Sequence, residues 1–275
     1  MSEAVTMTLG KIVENNNVAP GHFLMSVRLP LDFPDPRPGQ FVMIRSAGHR
    51  EPLLGRPLSV YGFRRREDHS ILDLLYRIAG GGTELLARLR AEDPLSVLGP
   101  LGTGFSAPAG MKRALFIAGG VGVAPLTYLL ERGIGTDSLW TGGNCTFYIG
   151  AKSDRLLLGL DRLKAGGKLR ICTDDGSLGA GCTVTALLEE DLDGYDPADT
   201  ALFACGPGAM IRSLVSLLEK SAFTCQVSLE ERMACGLGAC LGCAVAVRGD
   251  EGTIGYQRVC KEGPVFDLRR IVAVS

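Results

Sequence analysis

Neither sign of charge dominates this 275-residue chain: 29 basic residues stand against 30 acidic ones, a net charge of −1. That balance leaves no electrostatic footprint for nucleic acid or for an anionic membrane surface. No run of about 18 apolar residues occurs, so no membrane-spanning helix is expected. The opening MSEAVTMTLGKIVENNN lacks a basic stretch leading into an apolar core, which argues against a secretory signal and for a cytoplasmic protein. Internal repeats and low-complexity tracts are absent. Histidine is scarce: His22, His49 and His69 fall in no constellation, and packing or surface roles are expected of them.

Glycine and cysteine are plentiful instead. The 37 glycines imply many tight turns and close backbone approaches. Nine cysteines in a reducing compartment argue for ligands or buried thiols over disulfides, and the odd count agrees. The length leaves room for two domains and a small third.

Three rhythms follow one another along the chain. The first hundred residues are β-rich. HFLMSVRL (22–29), QFVMIRS (40–46), LSVYGF (58–63) and ILDLLYRI (71–78) are short apolar or alternating runs separated by turn clusters. One helix is predicted at TELLARLR (83–90), with Thr83 as its cap. From about residue 112, strands alternate with helices: RALFIAGG, VAPLTYLLERG, CTFYIGA, KLRICTDD, TVTALLEEDL, ALFACGP and GAMIRSLVSLLEK. That alternation predicts a parallel sheet with nucleotide at the carboxyl ends of its strands, FTCQVSL (223–229) being the last. Beyond 230 lies a Gly- and Cys-rich tail, too small to hold a core unaided, for which a metal staple is expected.

In that tail, Cys235, Cys240, Cys243 and Cys260 are spaced C-x4-C-x2-C-x16-C. The first two intervals match the plant-type [2Fe–2S] pattern, with a shorter gap before the fourth cysteine. Gly236, Gly238 and Gly242 let the loop bend around a cluster, and its amides can bond the cluster sulfurs. The fourth ligand follows a hairpin expected around RGDEGT. The alternatives are a four-cysteine zinc site, which ordinarily shows a second close pair missing here, and a set of packed thiols. Cys145, Cys172, Cys182 and Cys225 follow no ligand spacing and read as packed thiols.

A one-electron centre coupled to a hydride carrier requires a converter, and flavin is the common one. GRPLSVYG (55–62) places Arg56, Pro57, Leu58 and Ser59 in a barrel strand, and LLYRIAGGGTELL (74–86) follows. The amides of Gly82 and Thr83 at a helix N-terminus can hold a pyrophosphate, Arg56 or Arg77 can add charge, and Ser59 can reach the ring edge. FIAGGVGVAPLTYLL (116–130) is a strand, glycine turn and helix that departs from G-x-G-x-x-G. No acidic residue in a strand-end context stands about 20 positions on. FACGPGAM repeats the device, and TDDGSLGAGCTVT is a polar turn on the same expected edge. Cys205 is the side chain placed nearest a flavin–nicotinamide contact, against the plainer reading of a buried strand-end thiol.

RPLS, YRIAGGGT, GPLGTGF, AGGVGVAPL, TDDGS, CGPGAM and CGLGACLGC occur in the order found in the ferredoxin–NADP reductase-like flavoproteins, and nearly the whole chain resembles them. Among these it is most similar to the electron-transfer subunits of NAD-linked dihydroorotate dehydrogenases. The resemblance implies an FAD-binding six-stranded β-barrel (1–107), a Rossmann-like parallel α/β domain binding NAD (108–228) and a small [2Fe–2S] domain (229–275). It assigns FAD to Arg56, Pro57, Leu58, Ser59, Tyr76, Arg77, Ile78, Gly82 and Thr83. The nicotinamide path falls to Gly119, Gly120, Gly122, Pro125, Cys205, Gly206 and Pro207, and the cluster to Cys235, Cys240, Cys243 and Cys260. One departure is GIGTDSLWTGGN (133–144), where the first crossover looks irregular.

The implied partner is an FMN-containing dihydroorotate dehydrogenase catalytic subunit, two copies of each chain assembling together. Electrons would pass singly through the cluster to FAD, and hydride would then pass to NAD+. No acid–base residue for the substrate is expected here. Two other readings stand beside this one: a subunit of a related NAD(P)H-dependent ferredoxin or sulfide oxidoreductase, and a zinc-stapled nucleotide sensor.

Overall fold

A computed structural model describes residues 5–47, 53–133, 143–249 and 251–272. His49 and positions 134–142 of the irregular crossover lie outside them.

The first segment forms strands β1 (Thr6–Ala19), β2 (His22–Pro30), β3 (Phe41–Ser46), β4 (Arg56–Arg65) and β5 (His69–Arg77), helix α1 (Gly81–Arg88) and strand β6 (Pro94–Leu101). The six strands close in the order β1-β2-β5-β4-β3-β6, every neighbouring pair antiparallel. Pattern alone picks out four of them. In β1 the alternation carries apolar Met7 and Leu9 to the outside, and β6 contains Gly99–Pro100, a strand-weakening pair. Register shifts in β1 and between β4 and β5 supply the bends that closure requires. Ile12, Met25, Val27, Ile44, Val60, Leu72, Leu74 and Val97 fill the interior.

The second segment runs β7 (Arg113–Gly119), α2 (Val123–Arg132), β8 (Cys145–Ala151), α3 (Leu160–Lys164), β9 (Lys168–Thr173), α4 (Val184–Leu192), β10 (Thr200–Cys205), α5 (Gly208–Leu218) and β11 (Thr224–Ser228). These strands are parallel, in the order β11-β10-β7-β8-β9. The chain moves outward from β7 through β8 to β9 and then returns to β7's other side. The switch point therefore lies between the carboxyl ends of β7 and β10, where open α/β sheets bind ligands.

The tail forms a hairpin of β12 (Ala244–Arg248) and β13 (Ile254–Arg258), bearing out the turn expected around RGDEGT, followed by β14 (Val265–Asp267). β14 adds antiparallel to β11, so the sheet does not end where the sequence suggests. A tail this short cannot build its own core. Cys243, Val245, Val247, Val259 and Cys260 pack in one apolar cluster with Met43 and Leu101 of the barrel and Val227 of the sheet.

The segments are joined by specific contacts. Tyr128 of α2 packs in the barrel's core cluster and donates to the Pro36 carbonyl at 2.8 Å. Arg162 of α3 lies 3.9 Å above the Tyr61 ring, bonds the Tyr61 carbonyl at 3.2 Å and pairs with Glu131. Thr103 donates its hydroxyl to Glu262 O across the barrel–tail junction.

Candidate functional site

At the end of β5 the chain passes through Ile78, Ala79 and Gly80 into α1. The helix starts at Gly81, two residues ahead of the sequence expectation, with extended Gly80 as its N-cap. Thr83 is consequently not the cap. It sits in the first turn, and its hydroxyl accepts from the amides of Ala79 at 2.8 Å and Gly80 at 3.2 Å, bracing the approach from outside. Glu84 is the first amide to close back, onto Gly80 O, so those of Gly81, Gly82 and Thr83 face out of the N-terminus. Arg56 brings its guanidinium onto this end. A Cβ on Gly82 would stand 1.9 Å from Arg56 Nε, so the absence of a side chain there is what admits the cation. Paired amides beside a guanidinium suit a pyrophosphate.

Next to this end opens a cavity of about 210 Å³ that all three segments build. The barrel contributes Pro57, Leu58, Ser59, Tyr76, Arg77 and Thr83, the α/β segment Val121 and Ala124, and the tail Met233 and Pro264. Of the residues assigned to flavin, Arg56 and Gly82 stand at the helix end beside the cavity, and Ile78 bonds Gly21 O through its amide. Tyr76 offers the cavity little of its side chain: it is buried in the barrel, its hydroxyl donates to Asn15 at 3.0 Å, and burial pushes it up to about 12.

The switch point abuts the cavity. Gly119 ends β7, Gly120 turns with φ +54°, and Gly122 leads into α2, where Pro125 occupies the first turn without losing a helical hydrogen bond. A Cβ on Gly122 would lie 2.1 Å from Cys205 O, and one on Gly119 would lie 2.8 Å from Pro207 Cδ. Two strand-to-helix turns thus meet backbone to backbone, bringing Gly119, Gly120, Gly122, Cys205, Gly206 and Pro207 together. The Cys205 thiol is fully buried. Burial pushes it far above the ordinary thiol range and Glu230 adds to the effect, while the neighbouring Ser228 hydroxyl opposes it.

In the tail, positive φ angles at Gly236 (71°), Gly238 (80°) and Leu241 (60°) fold the loop tightly. Amides turn toward sulfur: Leu237 N lies 3.3 Å from Cys235 Sγ, Gly242 N 3.5 Å from Cys240 Sγ and Cys260 N 3.5 Å from Cys243 Sγ. The thiols come in two neighbouring pairs, Cys235 with Cys240 and Cys243 with Cys260. Burial resists ionisation of Cys235, but amide donors from Leu237, Cys240 and Ala239 outweigh it and bring the thiol down to about 6. Among the described residues, no three His, Cys, Asp or Glu side chains converge on one ion. Two thiol pairs with amide donors fit two irons better than one tetrahedral zinc. Arg258 ties the loop down, bonding Gly238 O at 2.7 Å and pairing with Glu262.

The other cysteines behave as packed thiols. Cys145, Cys172 and Cys225 are buried, and Cys182 is half-buried beside Cys172. His22 is buried against the Pro20 carbonyl, and His69 contacts Asp68. Sequence reasoning passed over Leu229, Glu230, Glu231, Met233 and Pro264, which line the cavity. Only the fold brings them there, although the run LEERM (229–233) links the last parallel strand to the cysteine loop in sequence.

A closed antiparallel barrel, a parallel sheet with its switch point at the barrel edge and a cysteine-loop tail together define a ferredoxin–NADP reductase-like iron–sulfur flavoprotein. The solved NADH-dependent reduced ferredoxin–NADP oxidoreductase superposes with a TM-score of 0.80 at 25% identity, over 98% of this chain and 91% of that one. A ferredoxin NADP+ reductase from Neisseria gonorrhoeae, with bound FAD and NADP, shares the fold at a TM-score of 0.60 and 20% identity, over 78% and 90% of the two chains. Residues 230–272 match the iron–sulfur cluster binding domain of dihydroorotate dehydrogenase B. The electron transfer subunit of dihydroorotate dehydrogenase B (NAD(+)) from Desulforamulus reducens is 36% identical over 263 residues, 95% of this chain and 97% of that protein. The Enterococcus faecalis subunit is 35% identical over 265 residues, 95% and 96% of the two. The chain belongs to the family of dihydroorotate dehydrogenase B electron transfer subunits.

Proposed function

We infer that this chain is the reductase half of an NAD-linked dihydroorotate dehydrogenase, carrying electrons between a separate FMN-containing catalytic subunit and NAD+ in pyrimidine synthesis. When bound, the [2Fe–2S] cluster supplies one-electron relay and FAD supplies the conversion between single electrons and hydride. The protein's own residues position these groups. Cys235, Cys240, Cys243 and Cys260 hold the cluster in a loop whose amides offset the negative charge on sulfur. Arg56 and the first amides of α1 hold the flavin pyrophosphate, and Pro57, Leu58 and Ser59 line the place for its ring. Gly119, Gly120, Gly122 and the Cys205–Pro207 turn leave the switch point low enough for a nicotinamide to reach that ring. Met233 and Pro264, from the tail, add apolar wall to the same cavity.

The observation that carries this reading is that one cavity is walled by all three segments, which supports a flavin held between the nucleotide edge and the tail. The catalytic partner docks where the cluster loop reaches the surface, Cys240 being exposed, and two copies of each chain assemble in the cytoplasm. None of the helices is long and apolar enough to cross a membrane among the described residues.

The test is co-purification with the catalytic subunit. The complex should show flavin and [2Fe–2S] absorption and reduce NAD+ with dihydroorotate. A coloured complex indifferent to dihydroorotate but active with reduced ferredoxin would favour the related oxidoreductase, which the 0.80 superposition makes the second reading. A colourless, zinc-containing protein would sink both.

A further inference from the structure

In β1, Ile12 pairs with Val27 of β2 and Asn15 with Met25, so the chain advances three residues on one strand and two on the other. Val27 and Met25 both belong to the barrel core, and partners across an antiparallel pair share a face. The bulge between Ile12 and Glu14 therefore turns Asn15 toward the interior, at a position that suits an apolar side chain. A polar group so placed needs partners, and Asn15 has three. Its amide nitrogen donates to Leu86 O at 2.9 Å and to Leu89 O at 3.1 Å, and its amide oxygen accepts from the Tyr76 hydroxyl at 3.0 Å. Carbonyls can only accept, so the amide has a single orientation that satisfies all three.

Leu86 lies in the last turn of α1 and Leu89 just past it, so these carbonyls are among those a helix end leaves open. Both leucine side chains pack in the barrel core. Apolar packing sets the depth of the helix but, being non-directional, not the line of its axis. At the other end, Thr83 bonds Ala79 and Gly80, which belong to the helix's own approach. The two Asn15 bonds are directional and come from a barrel strand. With eight residues, α1 is about 12 Å long, so a tilt of about 10° at its carboxyl end moves its first amides by about 2 Å.

We propose that Asn15 is a positioning residue for the flavin: it fixes the axis of α1 from the carboxyl end and so aims the Gly81–Thr83 amides at the pyrophosphate. The inference rests on the functional reading above. It is separable from a plain stabilising role for the same bonds. General loosening of the barrel would disturb the ring's place at Pro57, Leu58 and Ser59 together with the phosphate end. That place belongs to β4, which is held by β3 and β5, so a change confined to the axis of α1 leaves it intact.

The experiment compares the full chain, loaded with FAD and cluster, with Asn15→Leu, which fills similar space and donates nothing. Asn15→Leu should weaken FAD binding about tenfold, measured by flavin release on dilution. At saturating FAD, the phosphorus NMR resonances of the bound cofactor should move from their wild-type positions. The visible flavin bands should stay in place, and NADH should reduce the bound flavin within about twofold of the wild-type rate. If Asn15→Leu does not fold, Asn15→Ser takes its place, its hydroxyl being too short to span both carbonyls. Unchanged FAD affinity and phosphorus resonances would overturn the assignment. Displaced flavin bands or an equally slowed NADH step would overturn it too, since the effect would then reach the ring. Failure of both variants to fold makes Asn15 a residue of the barrel alone and overturns the positioning role. A wild-type chain that takes up no FAD would refute the functional reading beneath it instead.

Discussion

The meeting of the two glycine turns invites a direct perturbation, Gly122→Ala. The backbone at Gly122 has an ordinary helical geometry, φ −59°, so an alanine costs nothing conformationally. Its methyl would instead stand 2.1 Å from Cys205 O, 2.4 Å from Cys205 C and 2.8 Å from Gly206 N. Ordinary contact distances are about 3.5 Å, so the two turns must part by about 1.4 Å. The atoms in the way are main chain in the central strand pair and cannot rotate aside. Overpacking of this kind costs about 1–3 kcal/mol, and a rigid neighbour puts it at about 3. The melting temperature should fall by on the order of 5–10 °C. Displacement by about 1 Å between a nicotinamide and its acceptor costs roughly 100-fold in rate, so flavin reduction by NADH should fall far more than flavin content. Gly120→Ala separates the two uses of glycine: φ is +54° there and no atom lies within 4 Å of the added methyl. Its cost is the left-handed penalty alone, about 1 kcal/mol. Scanning calorimetry and stopped-flow absorbance on both variants decide the matter. Equal melting temperatures for the two, with an unchanged NADH rate in Gly122→Ala, would refute the close-approach argument.

Other substitutions probe the remaining joints. Gly82→Ala pushes a methyl into the Arg56 guanidinium, a flexible neighbour, so the fold should survive while FAD affinity falls about 10- to 100-fold, measured by flavin release on dilution. Arg162→Ala removes the contact over Tyr61 and the Glu131 pair; about 1 kcal/mol of stability should go, read by calorimetry, with a severalfold slower hydride step from a looser domain angle. Desolvation at the cavity wall, opposed by Arg77, raises the Glu230 carboxyl above the ordinary carboxylate range, so the folded chain binds more protons than the unfolded one between the unfolded and folded pKa values. Stability should therefore fall as pH rises through that window in the flavin-free chain, and melting curves of Glu230→Gln should lose this dependence. Cys240→Ser should lose iron and the broad visible absorption while keeping flavin, checked by metal analysis and spectra.

Local signals carried much of the architecture. Alternating runs marked barrel strands, strand–helix alternation marked the parallel sheet, and cysteine spacing marked the cluster loop, because each depends on chemistry within a few residues. The same locality explains the misses. Thr83 reads as a cap because a hydroxyl before an apolar run ordinarily is one, but three glycines allow the helix to start earlier and turn it into a brace. β14 reads as tail, since three residues carry no period, and it becomes a strand only because β11 offers an open edge.

The chain's order of motifs by itself determined that a β segment, a nucleotide-type sheet and a thiol loop would follow one another, and which glycines each turn requires. Tertiary structure alone decided that the three share one cavity, and that Gly82 makes room for Arg56 and Gly122 for Cys205. The physical reason is distance along the chain. A contact between residues 56 and 82, or 122 and 205, has no local pattern, and it exists only once strand pairing and core burial have fixed where each turn must lie.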